Sequence, residues 1–535
     1  VADVRVGLQT GDDFRFVRAF WEVDPHRVAR SREDTRHGKR WVPFAKGGEY
    51  SPYWADIHLL VDWENDGERI RAYEGSRPQN IDYFFRPGLT WPRRTNSGFG
   101  IRALPAGSIF ADKGPGVIPS DLPQLLLAWL SSRVAQALLD AMVAAGEEVS
   151  SGGASRSYEV GLVQKLPWPG LERVDGLTKP AESLAHRRRS LDKHDETTRS
   201  FFTPVLTMSP SVDVQTAHEQ LLAVYLDQLE DSAAVEARLA DALALDADAT
   251  GYLDAEISPH PLRYPERDDV DDDIARLYRE RIDDLIDALV EEVGGSRAIA
   301  NLTYFADRRL EVIAHGLRVS PRSIVRVVAE RGLLPPEEPA DTAERQLSYL
   351  VGCAFGRWDV RIGRDPSLAP DLPDLFDPVP VCPPGMLVGE DGFPVEVAPE
   401  GYPLELPPDR ILLDEPGHRW DIEYRVRAAA EFLFDDADGA IDEMVKVLGK
   451  RSLRDYLRTR FFKDHLSRYS MSRRAAPIYW HLSVPSKKWG VWVYAPSLSR
   501  ETLFAVAREA QRRERLSADL VRQLSAEREA GGAGR

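Results

Sequence analysis

Two stretches of the 535-residue chain set guanidinium and ammonium groups among aromatics and glycines. The first runs Arg77-Pro78-Gln79-Asn80, then Phe84-Phe85-Arg86-Pro87-Gly88-Leu89-Thr90-Trp91-Pro92-Arg93-Arg94-Thr95, and resumes at Lys113-Gly114-Pro115. Paired arginines engage a phosphate or a guanine edge bidentately, and Thr and Asn add short polar contacts. Turns built on glycine and proline let backbone amides come close to a polyanion. The competing reading is that Trp91 and Phe84 are core residues and Arg93 stacks on a ring. The second stretch is Tyr469-Ser470-Met471-Ser472-Arg473-Arg474-Ala475-Ala476-Pro477-Ile478-Tyr479-Trp480, followed by Lys487 and Lys488. One strand face is expected to turn Ile478, Trp480 and Leu482 inward, leaving Tyr479 and His481 beside the cations. Here the competing reading is an edge hairpin guarded by lysines against aggregation.

Other chemistry finds little support. Gly449-Lys450-Arg451-Ser452 lacks the glycine spacing of a phosphate-cradling loop. His186 and His194 stand eight apart in a charged stretch, and no histidine pair has metal-ligand spacing beside a carboxylate or thiolate. Asp371, Asp374 and Asp377 cluster, but among prolines and with no lysine nearby. No Gly-x-Ser-x-Gly elbow occurs. Cys353 and Cys382 are too few for a disulfide framework or a thiolate zinc site, which fits a reducing, cytoplasmic setting. No stretch approaches the length of a membrane span, and no signal peptide opens the chain. The sequence starts at Val1, directly in a strand-like alternation, and reads as the downstream part of something longer.

The net charge of −17 conceals a segregation. Residues 1–170 balance to zero, residues 171–449 carry −28 and residues 450–535 carry +11. Within 450–490, 11 basic residues face only Asp455 and Asp464. A phosphate-binding surface needs local positive potential, so the acidic total does not exclude nucleic acid. Charge alone allows equally that the basic end docks internally on acidic helices.

The elements that must position these groups are legible in outline. Val4, Val6 and Leu8 alternate with Arg5, Gly7 and Gln9 as in a half-buried strand. Ile57 to Trp63, Asn65-Asp66-Gly67 and Glu68 to Ala72 read as a hairpin, since Asp-Gly suits a turn of positive φ. A helix is expected from Leu122 to Ala145, with Leu126, Trp129, Leu130, Val134, Leu138 and Met142 on one face. Apolar stripes at helical spacing recur over Ile274–Val293 and from Ser320 to Gly332. Eleven prolines in residues 370–408 predict an extended connector. Helical pattern resumes from Glu415 to about Leu448. Ile478–Val484 and Trp489–Tyr494 then alternate as two strands, and a charged helix runs from Arg500 to about Arg528.

Four blocks carry a resemblance: Gly7-Leu8-Gln9-Thr10-Gly11-Asp12-Asp13-Phe14-Arg15-Phe16, Phe44-Ala45-Lys46-Gly47-Gly48-Glu49-Tyr50-Ser51-Pro52-Tyr53, Phe85-Arg86-Pro87-Gly88-Leu89-Thr90-Trp91-Pro92 and Arg473-Arg474-Ala475-Ala476-Pro477-Ile478-Tyr479-Trp480. They resemble the region downstream of the catalytic domain in Eco57I-like adenine-specific DNA methyltransferases of type IIG restriction-modification and of the BREX and DISARM phage-defence systems. Ser348-Tyr349-Leu350-Val351-Gly352-Cys353-Ala354-Phe355-Gly356-Arg357-Trp358-Asp359 is similar to a further block of that family. The resemblance implies a target-recognition region, a helical spacer and a C-terminal region that grips the duplex. Its catalytic signature, an Asn/Asp/Ser-Pro-Pro-Tyr/Phe tetrapeptide holding the flipped adenine, does not occur here. The Pro-Pro pairs read Leu334-Pro335-Pro336-Glu337, Cys382-Pro383-Pro384-Gly385 and Leu406-Pro407-Pro408-Asp409. A glycine-rich cofactor loop after a strand is also missing.

The expectation is therefore an α+β chain: a recognition-like region over 1–170, an acidic helical spacer over 171–360, a proline-rich connector over 361–415 and a basic helix and hairpin region over 416–535. Its function would be the DNA-recognition and scaffold part of an N6-adenine methyltransferase, without methyl transfer of its own. S-adenosylmethionine and metal are not expected on this chain. The expected partners are double-stranded DNA, the catalytic methyltransferase domain and other defence-system subunits, with no membrane. Lys46, Arg86, Arg93, Arg94 and Lys113 are the expected contacts in the first region, with Trp91 shaping the surface. Arg473, Arg474, Lys487 and Lys488 are expected phosphate contacts in the last, beside Tyr479. The alternative is a protein-interaction subunit of a defence complex, docking through the acidic 171–449 segment.

Overall fold

The computed structural model describes residues 1–48, 50–95, 98–121, 123–144, 156–173, 176–208, 213, 214, 217, 235–256, 339–471, 474–484 and 488–532. The stripes over 274–293 and 320–332 lie outside these residues, as do Arg473 and Lys487. The chain combines helices with largely antiparallel sheets and divides into two compact units. One comprises Val1–Arg345 with Asp365–Gly385, the other Gln346–Arg364 with Met386–Arg535. The proline-rich stretch is thus shared between them.

The first unit is built on two four-stranded sheets. One has the order Ala2–Arg5, Gly116–Pro119, Gly88–Thr90, Arg102–Leu104, antiparallel throughout. Side-chain alternation sends Leu89, Ala103 and Val117 to one face, where they pack with Leu125, Leu126, Trp129, Leu139 and Leu184 from helices. Leu104 and Ile118 point the other way and join Phe44, Val61, Ile109 and Phe110 of the second sheet. That sheet has the order Ile109–Phe110, Trp41–Ala45, Leu59–Asp62, Val17–Ala19. Its first pair is parallel and the others are antiparallel.

Two local expectations are corrected in this unit. Asn65, Asp66 and Gly67 do take positive φ (50°, 55° and 81°), but they lead into a helical turn instead of a return strand. Ile70 is buried there, and Asp66 accepts hydrogen bonds from Trp63 Nε1 and Arg32. Leu59–Asp62 finds its partners in Val17–Ala19 and Trp41–Ala45. The single helix expected over 122–145 is two, Pro123–Leu130 and Arg133–Ala144, bent by 62°. Ser132 causes the break by capping the second helix: its Oγ accepts from the Ala135 N–H at 3.1 Å. The bend leaves Leu138 exposed and Leu139 buried. No single described helix is long and apolar enough to cross a membrane.

The second unit centres on a three-stranded antiparallel sheet ordered Ile411–Leu413, Gly490–Tyr494, Tyr479–Ser483. The two C-terminal strands form the expected hairpin. Helices Ile422–Leu433, Ala437–Val447 and Leu453–Tyr456 begin at Asp421, Asp436 and Ser452, whose side chains accept from the N–H three residues on. The helix Arg500–Gly532 lays Ala505 against Ile411, Leu413, Val491 and Val493.

Candidate nucleic-acid interface

The parallel pairing of Trp41–Ala45 with Ile109–Phe110 decides the geometry of the first cationic stretch. Phe44 lies opposite Ile109 and Ala45 opposite Phe110, so both strands end on the same side. Lys46-Gly47-Gly48 and Asp112-Lys113-Gly114 therefore emerge as adjacent loops. They touch so closely that a Cβ on Gly47 would lie 2.5 Å from the Lys113 carbonyl oxygen, and one on Gly114 would lie 2.4 Å from the Gly47 nitrogen. Gly47 has φ +82°, in the left-handed region that favours glycine. Arg93 joins them: its N–H donates to the Lys113 carbonyl at 3.0 Å, and its own carbonyl accepts from the Tyr158 N–H at 2.8 Å. Arg94 follows on a short strand paired with Arg156–Ser157.

Lys46, Arg93, Arg94 and Lys113, separated by up to 67 positions, are thus brought to one end of the unit. Their charges are unequally available. The Lys46 ammonium is bonded to Asp13, and Arg93 faces Glu159 at 3.8 Å. Burial raises the Asp13 carboxyl, but hydrogen bonds from Lys46 and Thr10 and the charges of Lys46 and Lys113 bring it below the ordinary carboxylate range. Arg94 and Lys113 are exposed. Arg86 stands apart, at the opposite end of Gly88–Thr90, with its guanidinium 5.4 Å from the Tyr83 ring centre. Trp91 corrects the expectation for it. It has no exposed surface, it donates from Nε1 to the Tyr158 carbonyl at 2.9 Å, and it packs on Phe99, so it supports the loop from within.

A residue that the sequence did not single out holds the loop from behind. Arg102 is buried, donates to the Gly47 carbonyl, and is pushed down to about 10 by burial and by Arg188. Its position on a strand among apolar neighbours gave no signal, because only the fold carries it to Gly47. Deeper in the same unit lies a pair of acids. Burial and the neighbouring Asp192 push Asp56 up to about 8, against the pull of Arg199, whose N–H donates to Asp56 at 3.0 Å. Asp192 is itself raised to about 6 by burial, although it accepts from Trp54 Nε1 at 2.7 Å. Among the described residues no three His, Cys, Asp or Glu converge as a metal site.

In the second unit Ile478 is buried as expected, but Tyr479 turns inward and Trp480 and Leu482 outward, the reverse of the expectation for them. Tyr479 is fully buried, stacked on Phe355 with ring centres 5.0 Å apart and packed on His465. The N–H groups of Ile478 and Tyr479 both donate to His465 Nε2, and burial with Arg468 and Arg357 keeps that imidazole well below its ordinary range. The aromatic that reaches solvent is Trp480, 41% exposed, in a row with Leu482 and Val484. The physical reason is that the Tyr479 side of the hairpin is claimed by Phe461 and Phe355, while the Arg500–Gly532 helix packs on Ile411 and Leu413, away from this edge strand.

Much of the basic charge over 450–490 is consumed locally. Arg454 binds Asp414, Asp421 and Glu423 at 2.6–2.7 Å, Arg458 binds Asp414, and Arg460 binds Asp464 at 2.9 Å. Arg451, Lys463 and Lys488 are exposed, and Arg474 is half-buried on a short strand paired with Ser470–Met471.

No protein-family model matches the chain. Over 217 residues, 38% of its length, it is 24% identical to an adenine-specific methyltransferase, PglX, of Lacticaseibacillus casei (strain Zhang), of which the match spans 17%. Over 98 residues, 18% of its length, it is 31% identical to the adenine-specific methyltransferase BrxX of Escherichia coli O9:H4 (strain HS), of which the match spans 8%. The chain thus spans less than a fifth of the curated relatives it matches, and it is similar to part of these adenine-specific methyltransferases.

Proposed function

We propose that this chain is the DNA-recognition and scaffold portion of an S-adenosylmethionine-dependent N6-adenine DNA methyltransferase of a BREX-like phage-defence system, with methyl transfer performed by a catalytic domain outside it. The recognition surface is the end of the first unit where the Lys46–Gly48 and Asp112–Gly114 loops meet Arg93 and Arg94. The observation that carries this reading is the juxtaposition of three separate segments, two by the parallel strand pair and the third by the Arg93–Lys113 backbone bond, which gathers four cations at one end of the unit. The close-packed glycines hold the loops together and leave Lys113 and Arg94 exposed for phosphate contact. Similarity to adenine-specific methyltransferases supports the same reading. Arg474 and Lys488 supply further phosphate contacts in the second unit, and Trp480 takes the place of Tyr479 as the exposed aromatic beside them.

Reversing Arg93 and Arg94 to Glu tests the recognition surface. Loss of duplex binding together with a shallower salt dependence is expected, because fewer counterions are released per complex. Unchanged affinity for every duplex would remove the site. Reversing Arg474 with Arg473 tests the contacts of the second unit in the same way.

A further inference from the structure

The second unit contains a cavity of about 260 Å³ that no role above uses. Its floor is Ile411 and Leu413 on the edge strand, and Pro407, Pro408 and Asp409 form one side. His418, Arg419 and Trp420 close another, on a turn held to the strand by the bond from Leu413 N–H to the Trp420 carbonyl at 2.8 Å. Arg508 and Glu509 of the C-terminal helix make the roof. The volume suits one planar ring system and far exceeds that of a single water.

The polar groups define what that ring must carry. The acids are already engaged: Asp409 accepts from Arg508 at 2.9 Å and Glu509 from Arg512 at 2.6 Å. Donors remain. His418 Nδ1 accepts from the Trp420 N–H at 3.0 Å, so in the neutral ring Nε2 bears the hydrogen. That Nε2 stops 4.0 Å from Glu509, beyond hydrogen-bonding distance. Arg508 is 67% exposed, spends one of its five N–H donors on Asp409 and has its Nε 4.0 Å from Glu509, so donors are left over. Trp420, with the guanidinium groups of Arg425 and Arg419 4.3 Å and 5.0 Å from its ring centre, supplies an aromatic wall.

We propose that this cavity binds a nucleoside 5′-monophosphate unit. The base would lie between Trp420 and the Pro407-Pro408 wall, and the phosphate would meet Arg508 and His418. The unit comes either from a free nucleotide or from an unpaired position of a DNA strand. Four deoxynucleoside monophosphates, the matching nucleosides, inorganic phosphate and a short single strand are to be titrated against the full chain, with saturation-transfer NMR reading the base protons. Saturation transfer to the monophosphates is expected, with weaker binding of the nucleosides. Arg508→Gln, at an exposed position, should weaken the monophosphates about tenfold while sparing the nucleosides, as loss of one charge-assisted contact does. Trp420→Ala should abolish the transfer, and His418→Ala reports on the phosphate end if that variant does not fold. Binding of mononucleotides alone identifies a free ligand, and binding of the strand as well identifies an unpaired position; either supports the proposal. Absence of saturation transfer in the wild type, phosphate binding as tight as the nucleotides, or indifference to Arg508→Gln would overturn it.

Discussion

Replacing Gly47 by alanine tests the packing on which the recognition surface depends, and Gly38 provides the matched control. Both glycines have left-handed φ, +82° and +90°, but a Cβ on Gly38 meets nothing within 4 Å. Gly38→Ala therefore carries only the backbone term, about 1–2 kcal/mol. Gly47→Ala carries that term and also drives a methyl to 2.5 Å from the Lys113 carbonyl oxygen, where the obstacle is backbone and cannot rotate away. Overpacking of this kind costs about 1–3 kcal/mol, so the second variant should be less stable than the first by that margin. Urea unfolding of both proteins, followed by tryptophan fluorescence, gives the difference directly. Equal stabilities would mean that the Lys46–Gly48 and Asp112–Gly114 loops do not pack as described, and the case for one cationic surface would fall with them.

The geometry sets three further outcomes. Tyr479→Ala should cost about 3–5 kcal/mol as a buried aromatic truncation, and Trp480→Ala clearly less; the reverse order in denaturant titrations would restore the strand faces expected from alternation. Arg454→Ala strips a guanidinium from Asp414, Asp421 and Glu423 and should destabilise by about 3–5 kcal/mol, since the acids are left facing one another; a melting temperature like that of the wild type contradicts the network. Asp56 and Asp192 have folded-state values raised above the ordinary carboxylate value, to about 8 and about 6, so the folded state binds more protons than the unfolded one in that window. Stability should fall as pH rises from about 4 to about 8, and Asp56→Asn should flatten that fall; an unchanged slope across the series of melts would exclude the buried acid pair as its cause.

Local signals are legible in the sequence where they do not compete with tertiary demands. The Tyr479–Ser483 and Gly490–Tyr494 hairpin follows from alternation, and the helical pattern after Glu415 is realised as two helices that begin at Asp421 and Asp436. The positive φ of Asn65-Asp66-Gly67 is equally legible, yet the helical turn beyond it is decided by the burial of Ile70, which turn chemistry does not encode. Alternation identifies the strand at Tyr479 but not its inward face, because each side carries a large aromatic, Tyr479 on one and Trp480 on the other. Cations are recognisable as a type, but their availability is not. Asp13, Glu159, Asp414 and Asp421 take their partners over long sequence separations, and those pairings exist only in the fold.

The central claim is that the chain holds duplex DNA through phosphate contacts. Its most direct test is fluorescence anisotropy of the full chain on a labelled duplex between about 50 and about 200 mM salt. With about four to six phosphates engaged, the log–log slope of affinity against salt should lie near −4 to −5, about 0.9 per phosphate. A chain that leaves the duplex free at the lowest salt, or binds it with no salt dependence, contradicts the claim.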